Sequence, residues 1–166
     1  MFWKLIARLV SMPCVADYLI RRAKKTPYQH IYHGDELYMG RWWLFNPYPW
    51  PEEDRNTSWL NKLIPFNIRI HHIAQPDTAR DMHDHPWNAR TFILKGGYIE
   101  HKQDGRHYRV VGDTARIKFG EFHNILKVKP NTYTMFISGK YRGTWGFLVN
   151  GTKVQWRKYK GYEDQQ

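Results

Sequence analysis

Within DMHDHPWNARTFILKGGYIE, Asp81 to Glu100, two histidines flank a single residue immediately before an apolar run. In extended backbone, residues i and i+2 project to the same face. His83 and His85 therefore point one way and Asp84 the other. A third histidine, His123, lies in GDTARIKFGEFHN, just after a Gly turn that precedes a strand. Three neutral imidazoles converging inside a barrel form a facial set for a divalent first-row metal, with positions left open for water or substrate. The same residues also suit a barrel lined by hydrogen-bonded histidines without a metal, and both readings stand at this point. His71 and His72 lie near enough in the pattern to neighbour the site, although the polar face of a sheet accounts for them equally well.

The elements that must position these rings are mostly strands. From Ile64 onward, FNIRIHHIA alternates, TFILKGGYIEH is apolar and then turns, and RHYRVVGDTARIKFGEFHNILKV holds two short strands around a Gly-Asp turn. TYTMFISGK, GTWGFLVNG and TKVQWRKYK complete a series of about six to eight short strands with Gly, Asn or Asp between them, which predicts a sandwich or barrel. Helical spacing is confined to the start, over residues 2–10 and 14–25. Leu37–Phe45 reads as a strand that breaks into a loop across Pro47, Pro49 and Pro51. The expected organisation is a helical extension over 1–36, a barrel over 37–160 and a tail over 161–166.

The chain has 166 residues, enough for one domain with a proper core. Its 16% aromatic content argues against disorder. Cys14 is the single cysteine, which excludes an internal disulfide or a cysteine zinc site and fits a reducing, cytoplasmic setting. Lys4 and Arg8 interrupt the first apolar stretch, so it is expected to be an amphipathic helix docked on the domain; a membrane-surface helix is the sharper alternative. No run approaches the ~18 apolar residues of a membrane span. The net charge of +11 is uneven: residues 51–100 carry six basic and seven acidic side chains, residues 101–150 nine and three. Nucleic acid or an acidic protein is a plausible partner for such a surface. Phosphate-loop, dinucleotide and serine-hydrolase motifs are absent from the sequence.

The spacings resemble the cupin superfamily. In its first motif, G-x5-H-x-H-x4-E-x6-G, His83, His85 and Gly97 fall in register; in its second, G-x5-P-x-G-x2-H-x3-N, Gly112, Gly120 and His123 do. LYMGRWWLF, IRIHHI, DTARDMHDHPW, FILKGGYIEH and VQWRKY look more narrowly like a group of small cupin-like proteins of phages and bacteria, which would place a phage-encoded chain in the host cytoplasm. The resemblance implies a mainly β, double-stranded β-helix (jelly-roll) barrel with an N-terminal helical extension, and His83, His85 and His123 as metal ligands. Fe(II) is the first expectation for the metal, with Zn(II) or Mn(II) as alternatives. Arg90 stands where the family has its Glu ligand, Lys118 replaces the Pro and Lys127 the Asn. Asp81 or Glu121, each at i−2 from a histidine, is a candidate replacement carboxylate.

Pointing inward, Arg90 would disfavour a metal and attract a carboxylate or phosphate. Lys140 and Arg142, in SGKYRGTWGF, form either an anion-binding loop or a solvated hairpin tip. Asp77 and Arg80 are expected to hold a turn by an ion pair, and Trp87, Trp145 and Trp156 to pack in the core or offer stacking surfaces. Two functions follow. One is a mononuclear non-haem Fe(II) oxygenase, with Arg90 or Arg142 anchoring a 2-oxoglutarate-like or phosphate group. The other is a non-catalytic barrel that binds a small anion, nucleic acid or a protein. Cupin-like barrels commonly pair through edge strands, so a homodimer is expected.

Overall fold

The computed structural model describes residues 1–47 and 63–161. Pro49 and Pro51 of the expected proline-rich loop lie outside the described residues, as does most of the expected 161–166 tail. The chain opens with helix α1 (Phe2–Val10) and helix α2 (Pro13–Ala23). Pro13 occupies the first turn of α2, where a missing N–H costs nothing, and Arg21 and Arg22 sit against the C-terminal carbonyls of that helix. Ala16, Ile20 and Ala23 recur at helical spacing and are buried, as is Ala7 of α1. The helices end at Ala23, close to the end expected from the helical spacing over 14–25.

Eleven strands follow among the described residues: β1 (Ile31–His33), β2 (Glu36–Phe45), β3 (Asn67–Ile73), β4 (Trp87–Lys95), β5 (Gly97–Lys102), β6 (Gly105–Val110), β7 (Thr114–Ile117), β8 (His123–Val128), β9 (Thr132–Tyr141), β10 (Gly146–Val149) and β11 (Thr152–Gln155). Trp156–Tyr159, expected to extend the last strand, instead forms a short helix, α3. β1–β2–β3–β9–β4–β7 make a six-stranded antiparallel sheet, β6–β5–β8 a three-stranded one, and β10–β11 a hairpin. The fold is mainly β with the N-terminal helices laid on one sheet.

Period-two alternation divides the large sheet into two faces. Ile70, Phe92, Leu94 and Met135 point outward and pack beneath Ala7, Ala16, Ile20 and Ala23. The alternate positions face inward, among them Trp87, Ala89 and Phe136 in one cluster and Ile73 and Ile93 in another, which Tyr98 and Ile125 of the three-stranded sheet complete. The turn from β4 to β5 depends on glycine. Gly97 has φ +148°, and a Cβ there would lie 2.4 Å from the Arg109 carbonyl oxygen. Its N–H donates to Thr132 Oγ1 at 2.9 Å, tying the turn to the start of β9. The inner faces enclose a cavity of about 710 Å³.

Candidate metal centre

His83 and His85 lie on an extended segment that leads into β4, and His123 opens β8. The backbones of His83 and His123 exchange both hydrogen bonds, 3.0 Å for the His83 N–H and 2.9 Å for the His123 N–H. This bridge sets their imidazoles side by side. On the other flank of the segment, the Asp84 N–H donates to the Gly146 carbonyl at 3.0 Å and the Leu148 N–H to the Met82 carbonyl at 2.8 Å. The ring centroids of the three histidines form a nearly equilateral triangle with sides of 4.9, 5.1 and 5.1 Å. Their ligand atoms all lie within 4.8 Å of one another.

His85 Nε2 and His123 Nε2 are 2.9 Å apart. Two nitrogens bound at right angles to one ion, each at ~2.1 Å, would be separated by about 3 Å. The far nitrogen of His123, Nδ1, meets Glu100 Oε1 at 2.8 Å, which turns Nε2 toward the other two rings. Glu100 is 1% exposed. Its second oxygen accepts from Arg109 at 2.8 Å through Nε and 2.5 Å through the terminal nitrogen. Burial alone would raise the Glu100 pKa, but the His123 hydrogen bond and the charges of His123, Arg109 and Lys102 hold it at about 2. Burial, reinforced by the charge of His123, lowers His83 to about 4 and moves His85 well below the ordinary imidazole range. Both rings are therefore neutral at pH 7, as ligation requires.

Neither candidate carboxylate joins the cluster. Asp81 is held by Arg80 at 3.0 Å and by the Tyr159 hydroxyl at 2.9 Å. Glu121 pairs with Lys102 at 3.0 Å and accepts the Lys118 N–H at 2.8 Å. The carboxylates that do approach the rings are Glu100 and Asp77. Asp77 Oδ2 lies 3.7 Å from His83 Nδ1 and accepts the Ile125 N–H at 2.7 Å, and its other oxygen accepts from the Tyr38 hydroxyl. The expected Asp77–Arg80 pair is thus replaced: Arg80 takes its sequence neighbour, and Asp77 turns inward. Glu100, in phase with Tyr98 on β5, is a carboxylate the sequence reading passed over; it reaches His123 from the neighbouring strand of the three-stranded sheet.

Arg90 projects outward. Its guanidinium covers the Trp3 ring of α1 at 4.8 Å and donates to Thr114 Oγ1 at 3.2 Å. The inward position beside it is Ala89. Lys140 and Arg142 are exposed at the end of β9, outside the cavity lining. The arginines that line the cavity are Arg41 and Arg69. Arg69 is 1% exposed, 3.3 Å from Ser138 Oγ, with the rings of Tyr28, Trp43, Trp87 and Phe136 around its guanidinium at 5.2–5.6 Å. Next to it His71 is buried and stacked on Phe136 at 4.9 Å, whereas His72 turns to the helix side and stacks on Tyr133. Burial first, then the charges of Arg69 and Arg41, keep His71 neutral.

An aromatic roof closes the histidine end of the cavity. Trp145 and Phe147 each lie 6.3 Å from the His83 ring. Trp156 stacks on Trp145 at 5.6 Å and Tyr159 on Phe147 at 3.9 Å, so α3 backs the β10–β11 hairpin. Asp84, facing away from the imidazoles, secures that hairpin: it accepts the Gly146 N–H at 2.7 Å and pairs with Lys153 at 2.5 Å. Trp87, Trp145 and Trp156 all line the cavity.

No protein-family model matches this sequence, and no curated protein sequence does. Solved structures match the fold at low identity. A DMSP lyase superposes with TM-score 0.52 and 13% identity over 75% of this chain, which spans 62% of the lyase's length. A cupin 2 conserved barrel domain protein from Rhodopseudomonas palustris gives TM-score 0.50 and 13% identity over 75% of this chain and 77% of that one. The polyketide cyclase RemF from Streptomyces resistomycificus gives 0.50 and 11% over 81% and 93%. The architecture is that of the cupin barrel, with the histidine cluster inside it.

Proposed function

We propose that this chain is a mononuclear metalloprotein in which His83, His85 and His123 hold one divalent first-row cation, Fe(II), and that it is an oxygenase acting on a substrate bound in the adjoining cavity. The observation that carries the reading is the triangle of three imidazoles, with His123 locked in orientation by Glu100. The donor set fits the ion: Nε2 of His85 and of His123 stand at ligand spacing, and His83 and His85 are held neutral.

Bound Fe(II) would supply open coordination positions and the electrons that activate dioxygen. The chain's own residues do the rest. Glu100 fixes the His123 ring and balances the charge placed on it. The roof of Trp145, Phe147 and Tyr159 keeps bulk water from the histidine end. Phe136 and Trp87 give an apolar substrate flat surfaces, while Arg69 lends the same wall a fixed positive charge. That charge also favours a second reading, a non-catalytic barrel that holds a small anion.

Elemental analysis of protein purified without a nickel column tests the proposal. Near-stoichiometric iron that disappears in His83→Ala and His123→Ala supports it, as does dioxygen uptake that depends on the same residues. Bound zinc would keep the site and remove the oxygenase. Wild-type protein that is empty and refuses added Fe(II), Zn(II) and Mn(II) overturns the metal reading and leaves the anion-binding barrel.

A further inference from the structure

Helix α1 is docked by one side only. Ala7 is fully buried, Ile6 and Val10 pack beside it, and Trp3 lies against Phe92 at 6.0 Å. On the side turned away from the barrel, Phe2, Leu5, Leu9 and Met12 are 66%, 69%, 57% and 49% exposed. Phe2, Leu5 and Leu9, spaced by three and four residues, form one stripe along the helix, and Met12 follows it in the turn before α2. Burial in the domain therefore accounts for one apolar face of this helix and leaves a second one in water.

The flank of that stripe is basic. Lys4 and Arg8, one turn apart on α1, are exposed and border Val111–Thr114. Across residues 1–25 there are six basic side chains, Lys4, Arg8, Arg21, Arg22, Lys24 and Lys25, against the single carboxylate of Asp17, which is already paired with Lys95 at 2.5 Å. All six basic groups are exposed. An apolar stripe beside a basic ridge on a short helix is the pattern that lies in the headgroup region of a membrane. α1 has nine residues, about 13 Å of helix, and so lies along the surface rather than crossing it.

We propose that the outer face of α1 docks the protein on an anionic lipid surface, with Phe2, Leu5, Leu9 and Met12 inserted and Lys4 and Arg8 meeting lipid phosphates and carboxylates. Charge decides between this occupant and a second copy of the chain. A two-fold interface through the same face would set Lys4 and Arg8 near their own counterparts, whereas an anionic headgroup layer complements them.

The full chain is sedimented with vesicles of phosphatidylcholine and phosphatidylserine, and separately with phosphatidylcholine alone. The expected result is partition onto the anionic vesicles, weakened at least about tenfold both by Leu5→Gln/Leu9→Gln and by Lys4→Glu/Arg8→Glu. Unchanged circular dichroism and thermal melting in the variants exclude unfolding as the cause. Equal, weak recovery with both vesicle types overturns the proposal, as does binding that survives the leucine substitutions. A wild-type dimer in light scattering that Leu5→Gln/Leu9→Gln dissociates, without any vesicle binding, assigns the face to a second copy and also overturns it.

Discussion

Glu100 Oε1 and His123 Nδ1 are joined at 2.8 Å in a buried bond between β5 and β8, adjacent strands of the three-stranded sheet. The carboxylate keeps His123 in one tautomer and is itself clamped by Arg109. Glu100→Gln retains the size but loses the charge, so metal affinity is expected to fall about 10–100-fold. Competition with a chromophoric chelator measures it, and an unchanged affinity would show that Glu100 does not orient the ligand.

Stability of the metal-free protein depends on pH through His83. Its folded pKa is about 4 against an ordinary 6.5, with burial the larger cause. Between those values the unfolded chain binds a proton that the folded chain does not. Stability from this ring is thus complete above 6.5 and declines as pH falls toward 4, by at most about 1.4 kcal/mol per pH unit. Glu100 contributes with the same sign in a lower window, with stability lost only as pH falls through 4.5 toward its folded value of about 2. Thermal melts in chelator from pH 7.5 to about 4.5 should therefore slope downward, less steeply in His83→Gln; parallel curves would contradict this.

Asp84 holds the roof hairpin through the Gly146 amide and Lys153. Asp84→Ala leaves a buried N–H without an acceptor and should cost about 2–3 kcal/mol. Asp84→Asn retains an acceptor and should cost about half of that. Denaturant titration distinguishes them, and equal losses would mean that the amide bond contributes nothing.

His71 Nε2 is buried without a hydrogen-bond partner among the described residues. Replacing His71 with Phe removes a desolvated polar atom and preserves the stack on Phe136. The variant is expected to melt at or above the wild-type temperature, with a gain of up to about 1–3 kcal/mol, and to retain its metal. A marked loss of stability would reveal a bond to His71 formed in solution.

What the sequence reveals of this molecule follows from period and reach. His83 and His85 share a face because two-residue alternation is local, and the motif spacing carried the reading to His123. Arg90 lies five residues beyond His85, but Pro86 and the irregular register at Trp87–Ala89 stand between them, so its direction toward the helices is read from the structure and not from the string. Glu100 escaped because its partner ring belongs to another strand, and no local pattern pairs them. The three residues of β1 and the four of α3 are too short to establish a period. Trp156–Tyr159 adopts helix where stacking on Trp145 and Phe147 rewards it, a tertiary effect invisible in the string.

His85 and His123 are 38 positions apart in sequence, and the bridge that aligns the cluster closes only when the segment before β4 meets β8. Bringing such distant strands together is a late event for a chain dominated by non-local pairing. An ion that needs both sides therefore has little to grip in the folding transition state. It should leave the refolding rate nearly unchanged and lengthen the lifetime of the native state, acting as a latch on the finished barrel rather than a nucleus for building it.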